Sequence, residues 1–158
     1  MGAINNAFNQ AASAAAGAAL AIKHAKETEE TKMNTTDSTA IVARNQARAA
    51  NDEANAAWAE AEKPGGLVSQ LSSAEIEAEE ADKAYKKAVK RKNGSYKTRV
   101  QKFTELDAAN KAVYELKQKY QALENINKRA EEQIDYAAKA TEMAIEAKEK
   151  FKKHWGGK

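Results

Sequence analysis

The sequence predicts an all-α protein: an alanine-rich coiled coil or elongated helical bundle with one long C-terminal helix. Three observations predict it. Alanine, the strongest helix former, supplies much of the 42% apolar content, while aromatic residues make up only 6%. Across most of the 158 residues the apolar positions recur at alternating steps of three and four, which places them on one stripe of a helix. From about Ser95 to Lys153 the pattern reads as a heptad repeat.

Four helical segments follow from this spacing and its punctuation. The first, residues 1–30, is an uncharged-start Ala/Gly-rich helix with Ile4, Ala7, Ala11, Ala14, Ala18, Ala21 and Ala25 as its seam. A break is expected within Thr31–Ser38, where Asn34, Thr35, Thr36, Asp37 and Ser38 cluster as cap and turn formers. The second helix closes the 31–63 segment and carries Ala40, Ala43, Ala47, Ala50, Ala54, Ala57 and Ala61, small residues that let two backbones approach closely. Lys63-Pro64-Gly65-Gly66 then opens a loop over 64–71, since proline removes a donor and glycine frees the backbone to turn.

A third helix, residues 72–93, is expected to start at a capping box formed by Ser72 and Glu75, with Ala74, Ala78, Ala81, Tyr85 and Ala88 on one face. Asn93-Gly94 supplies left-handed residues that close it. The fourth helix, 95–153, has one row formed by Leu106, Val113, Tyr120, Asn127, Ile134 and Thr141. Its companion row is Leu116, Leu123, Ala130, Ala137, Ala144 and Phe151. At 1.5 Å per residue such a helix spans about 85 Å, a length suited to a rod or tube. Its seam changes from large residues to alanine past Ala130, so two helices should approach more closely toward the C-terminus. Asn127 at the transition either fixes register, as a polar seam residue does, or faces solvent where the stripe drifts. Residues 154–158 form a tail.

The chain length fits one ordinary domain or one elongated helical element. Alanine buries little area at about 25 cal/mol per Å², so a monomer closed on alanine seams gains little, and a homo-oligomer is expected. The net charge of +3 is too small to imply nucleic acid by itself, because acids and bases are interleaved. There is no cysteine, hence no disulfide framework and no thiolate nucleophile.

Residues Met1 to Ile22 carry no charged side chain, yet Asn5, Asn6, Asn9 and Gln10 stand where a signal peptide has its basic start. The apolar run Ala11–Ile22 is shorter than the roughly 20 residues a membrane span needs. Asn6 occupies the position where a myristoylation motif has Ser or Thr. Ile4, Phe8, Leu20 and Ile22 remain as candidate bundle or membrane contacts, with burial in a bundle the expected outcome. Phe151, Trp155, Lys152, Lys153 and Lys158 would suit a membrane interface or a frayed basic tail equally.

No catalytic or metal-binding constellation emerges, and no enzymatic activity or cofactor is expected. His24 and His154 lie at opposite ends of the chain, and Gly65-Gly66 lacks the lysine and hydroxyl of a phosphate loop. Glu75, Glu77, Glu79, Glu80 and Asp82 fall on several helical faces, as on a solvated surface. Glu142 and Glu146 have the spacing of a dimetal helix but no matching histidine. The sharpest local charge is basic: Lys83, Lys86, Lys87, Lys90, Arg91, Lys92, Lys97, Arg99 and Lys102 surround Asn93-Gly94, with Tyr85 and Tyr96 nearby. The expected role of this cluster is the solubilising tip of a helical hairpin facing water, with nucleic-acid contact through phosphates and stacked bases as the alternative. The seam residues Leu106, Val113, Leu116, Tyr120, Leu123, Asn127 and Ile134 are candidates for setting register.

An uncharged Ala/Gly-rich start opening with Met1-Gly2-Ala3, followed by long charged helices without cysteine, resembles the small internal virion or DNA-pilot (ejection) proteins of bacteriophages. The resemblance is one of composition and architecture over the whole chain. It implies a structural protein that assembles a helical conduit for genome passage through the host envelope, located in the virion, with other virion proteins, DNA and membrane as partners. The competing expectation is a cytoplasmic helical-bundle adaptor that binds a partner's helix. An ice-binding bundle is disfavoured, because a regular threonine array is missing.

Overall fold

The computed structural model describes residues 2–91 and 94–156. They form three helices, α1 (Gly2–Glu62), α2 (Leu67–Lys90) and α3 (Tyr96–Trp155), with no strand among the described residues. The protein is an all-α helical bundle with a long C-terminal helix. The expected break within Thr31–Ser38 does not occur: α1 runs through it. Five threonines in and beside this segment turn their hydroxyls onto the helix itself, Thr28, Thr31, Thr35, Thr36 and Thr39 each donating to the carbonyl four residues back at 2.8–2.9 Å. Residues that act as caps when their oxygens compete for the backbone are neutral inside a helix once those oxygens bond to it.

The chain divides into two compact units, Met1–Ala47 with Gln133–Lys158, and Arg48–Glu132. In the first, α1 and α3 pack antiparallel. Glu29 accepts from the Trp155 indole N–H, Asp37 meets Lys148 at 2.8 Å, and Arg44 reaches the Thr141 hydroxyl at 3.5 Å. Between the helices lies a core of alanine alone: Ala40, Ala43, Ala47, Ala137, Ala140 and Ala144. Side chains this small keep two backbones near the short end of helix-packing distances, so many weak backbone contacts replace a few large side chains.

In the second unit the end of α1 packs against α3 through Ala54, Ala61 and Leu123, and the Trp58 ring meets Tyr120 edge-on at 5.7 Å. A sharp turn separates α1 from α2. Gly65 has φ +78°, a left-handed conformation that favours glycine, and the Gly66 N–H donates to the Lys63 carbonyl at 2.7 Å. The expected loop over 64–71 is shorter than its sequence suggests. Helix α2 starts at Leu67, with Gly66 as its N-cap and no side-chain cap, so Ser72 and Glu75 lie inside the helix and form no capping box. Half-buried Leu67 and Leu71 explain the difference, because packing recruits a further turn of helix.

Helix α2 ends at Lys90, and α3 returns antiparallel beside it, bringing Tyr85 to 5.7 Å from Phe103. Gly94 does not have the left-handed backbone expected of it, and Asn93 lies outside the described residues. At the other end α3 continues to Trp155, into the segment expected to be a tail.

Candidate functional site

Two features stand apart from the packed seams. The first is the N-terminal half of α1. Every residue from 2 to 32 is exposed, and Met33 is the first to be half-buried. Ile4 and Phe8 are each 75% exposed, and Leu20 and Ile22 are also exposed. Burial of these four in a bundle is therefore not realised within this chain, nor is the Ile4–Ala25 seam closed. Among the described residues the last of α3, Trp155, meets Glu29, and no helix lies against α1 ahead of that point.

The exposed stretch continues a surface already used for packing. Eighteen residues make five turns at 3.6 residues per turn, so Ile4, Ile22 and fully buried Ala40 lie on one face of α1, with Phe8 about 40° away. The face that α3 covers at Ala40 is thus the face that presents Ile22, Phe8 and Ile4 to water. No helix is long and apolar enough to cross a membrane among the described residues.

The second feature is a groove of about 640 Å³ between the C-terminal end of α2 and the N-terminal end of α3. Of the expected basic cluster, Lys87, Arg91, Arg99 and Lys102 line it, joined by Ser95 and Thr98, whose hydroxyls the sequence reading did not single out. Their only signal was their position at the start of a helix, Ser95 just ahead of α3 and Thr98 in its first turn. Lys87, Arg91 and Arg99 have no carboxylate within salt-bridge distance among the described residues, whereas Lys102 pairs with Glu105 at 3.3 Å. Lys86 is engaged elsewhere. It meets Asp82 at 2.8 Å, and that hydrogen bond, with the carboxylate's charge, raises the ammonium's pKa above its ordinary value. The Asp82 carboxylate thus offsets the Lys86 charge on the surface of α2. Lys83 is likewise paired, with Glu79 at 3.3 Å. Lys90 and Lys97 are exposed outside the groove, and Lys92 lies outside the described residues. Tyr85 is committed to Phe103, while Tyr96 is 76% exposed.

The register candidates separate into two groups. Leu106, Val113, Leu116 and Tyr120 are half-buried and Leu123 is buried, in line with their seam positions. Past Asn127 the first row shifts toward the preceding residue: Ile134 is 42% exposed while Gln133 is half-buried, and Ala140 is buried beside a half-buried Thr141. A helix of 3.6 residues per turn drifts about 20° per heptad, and here the drift carries the first row off the interface. Asn127 is half-buried and donates to Glu131 on its own helix at 3.3 Å.

His24 lies 3.9 Å from Glu27, and His154 stacks edge-on against Trp155 at 4.7 Å. No cluster of three or more His, Cys, Asp or Glu able to hold a metal ion occurs among the described residues. No family model matches the chain, nor does any curated protein or solved structure.

Proposed function

We propose that this chain is a non-enzymatic structural protein that assembles with copies of itself through the N-terminal half of α1. The observation that carries the reading is the continuity of one helix face, packed against α3 around Ala40 and exposed at Ile22, Phe8 and Ile4. Most helix stability in proteins comes from packing one face against a neighbour, and this stretch has no such neighbour among the described residues. A second copy suits it because residues 2–22 carry no charge to repel one another, and because the same helix already packs closely through alanine. The compositional resemblance to phage ejection proteins extends the proposal. As a virion component acting in genome packaging or ejection, the assembled helices would line a conduit, with other virion proteins as neighbours.

Sedimentation velocity over two decades of concentration tests the assembly step. The expected result is a discrete oligomer that Phe8→Glu/Ile22→Glu converts to monomer with its helical circular dichroism retained. A wild-type chain that stays monomeric throughout overturns the proposal. Gain of helicity only on adding another protein's helix, without self-assembly, would replace it with the adaptor reading.

A further inference from the structure

We propose that the groove between α2 and α3 binds the phosphate backbone of a single-stranded nucleic acid. This inference is independent of self-association. Lys87 and Arg91 enter the groove from α2, and Arg99 and Lys102 enter it from the first two turns of α3. Three of these four cations are free of carboxylate partners among the described residues. The local field is therefore much stronger than a net charge of +3 conveys.

Donors for an anion are present besides the charges. Ser95 and Thr98 line the same groove, and the first turn of α3 contains no acidic residue to oppose an anion near its positive end. A volume of about 640 Å³, open to solvent, exceeds what one phosphate fills and suits successive phosphates of a strand. Tyr96, 76% exposed, offers a flat ring on the same helix as Arg99 and Lys102. Rings of this kind stack on unpaired bases, which a duplex keeps inside its own stack. Backbone charge contacts and stacking predict binding with little sequence preference.

The test is fluorescence anisotropy of a labelled, mixed-sequence single-stranded DNA with the full chain, titrated at several salt concentrations. Four phosphate contacts give a log–log salt slope of about −2.8, so affinity should fall about 50-fold between 50 and 200 mM salt. The double variant Arg91→Gln/Arg99→Gln should bind more weakly and lose only about 7-fold over the same range, its slope halved. The variant Lys117→Gln/Lys139→Gln removes the same charge from elsewhere on α3 and should bind as wild type. Helical circular dichroism of both variants verifies that the fold is kept. Absence of binding at low salt overturns the proposal, as does equal weakening by the two double variants. Competition by inorganic triphosphate or by a duplex as effective as the unlabelled strand also overturns it, assigning the groove to free polyphosphate or to duplex DNA.

Discussion

Replacing Ala43 by leucine tests whether close approach through alanine holds α1 and α3 together. Ala43 is 1% exposed and sits among Ala40, Ala47, Ala137, Ala140 and Ala144. A leucine there has two outlets. It can adopt a strained rotamer against the opposing backbone, and overpacking of this kind costs about 1–3 kcal/mol. Alternatively the helices part: if the other five alanines lose half their methyl burial, at about 0.8 kcal/mol per buried methyl, the loss is about 2 kcal/mol. Both routes lead to a destabilisation of about 2 kcal/mol.

Each compact unit carries one tryptophan, Trp155 in the first and Trp58 in the second, so a Trp58→Phe background leaves Trp155 to report on the unit containing Ala43. With a slope of about 2 kcal/mol per molar urea, the fluorescence midpoint should move down by about 1 M. Ala14→Leu, at an exposed position of α1, should leave that midpoint unchanged in dilute protein. An Ala43→Leu variant within 0.5 kcal/mol of its parent, or an Ala14→Leu variant as damaged as it, would refute the close-packing argument.

Four further outcomes follow from the packing. Trp58→Ala removes a half-buried ring and its edge-on contact with Tyr120, and should destabilise the second unit by about 3 kcal/mol in urea unfolding. At the turn, Gly65→Ala should cost about 1–2 kcal/mol for the left-handed backbone, read as a lower thermal midpoint. Gly66→Ala should lower it further, because the new Cβ would lie 2.6 Å from the carbonyl oxygens of both Glu60 and Ala61. A double-mutant cycle on Asp37→Asn and Lys148→Gln should give a coupling below about 1 kcal/mol despite the 2.8 Å contact, since both side chains are solvated, at 32% and 55% exposure.

Helix content and its main interruption were legible in the residues because both are local. Ala40 through Ala61 repeat at helical spacing, and the buried positions in the structure, Ala40, Ala43, Ala47, Ala54 and Ala61, belong to that row. Pro64-Gly65-Gly66 ends α1 through the absent donor and the left-handed backbone at Gly65. In the basic cluster, charge was legible but convergence was not. Lys87 and Lys86 are neighbours in sequence, yet one lines the groove and the other is held by Asp82, because residues 100° apart on a helix face different surroundings.

What the sequence by itself determined is therefore where the chain is helical and which stripe of each helix is fit for close packing, since propensity and periodicity act within a few turns. Tertiary structure decided the rest. It kept α1 continuous through Thr31–Ser38 by packing Met33 and Thr36 near α3, added the turn at Leu67, and moved the α3 seam away from Ile134. It also left Ile4, Phe8 and Ile22 without cover. A stripe of alanine specifies that a helix can be approached closely; how far α3 reaches specifies where the approach is made.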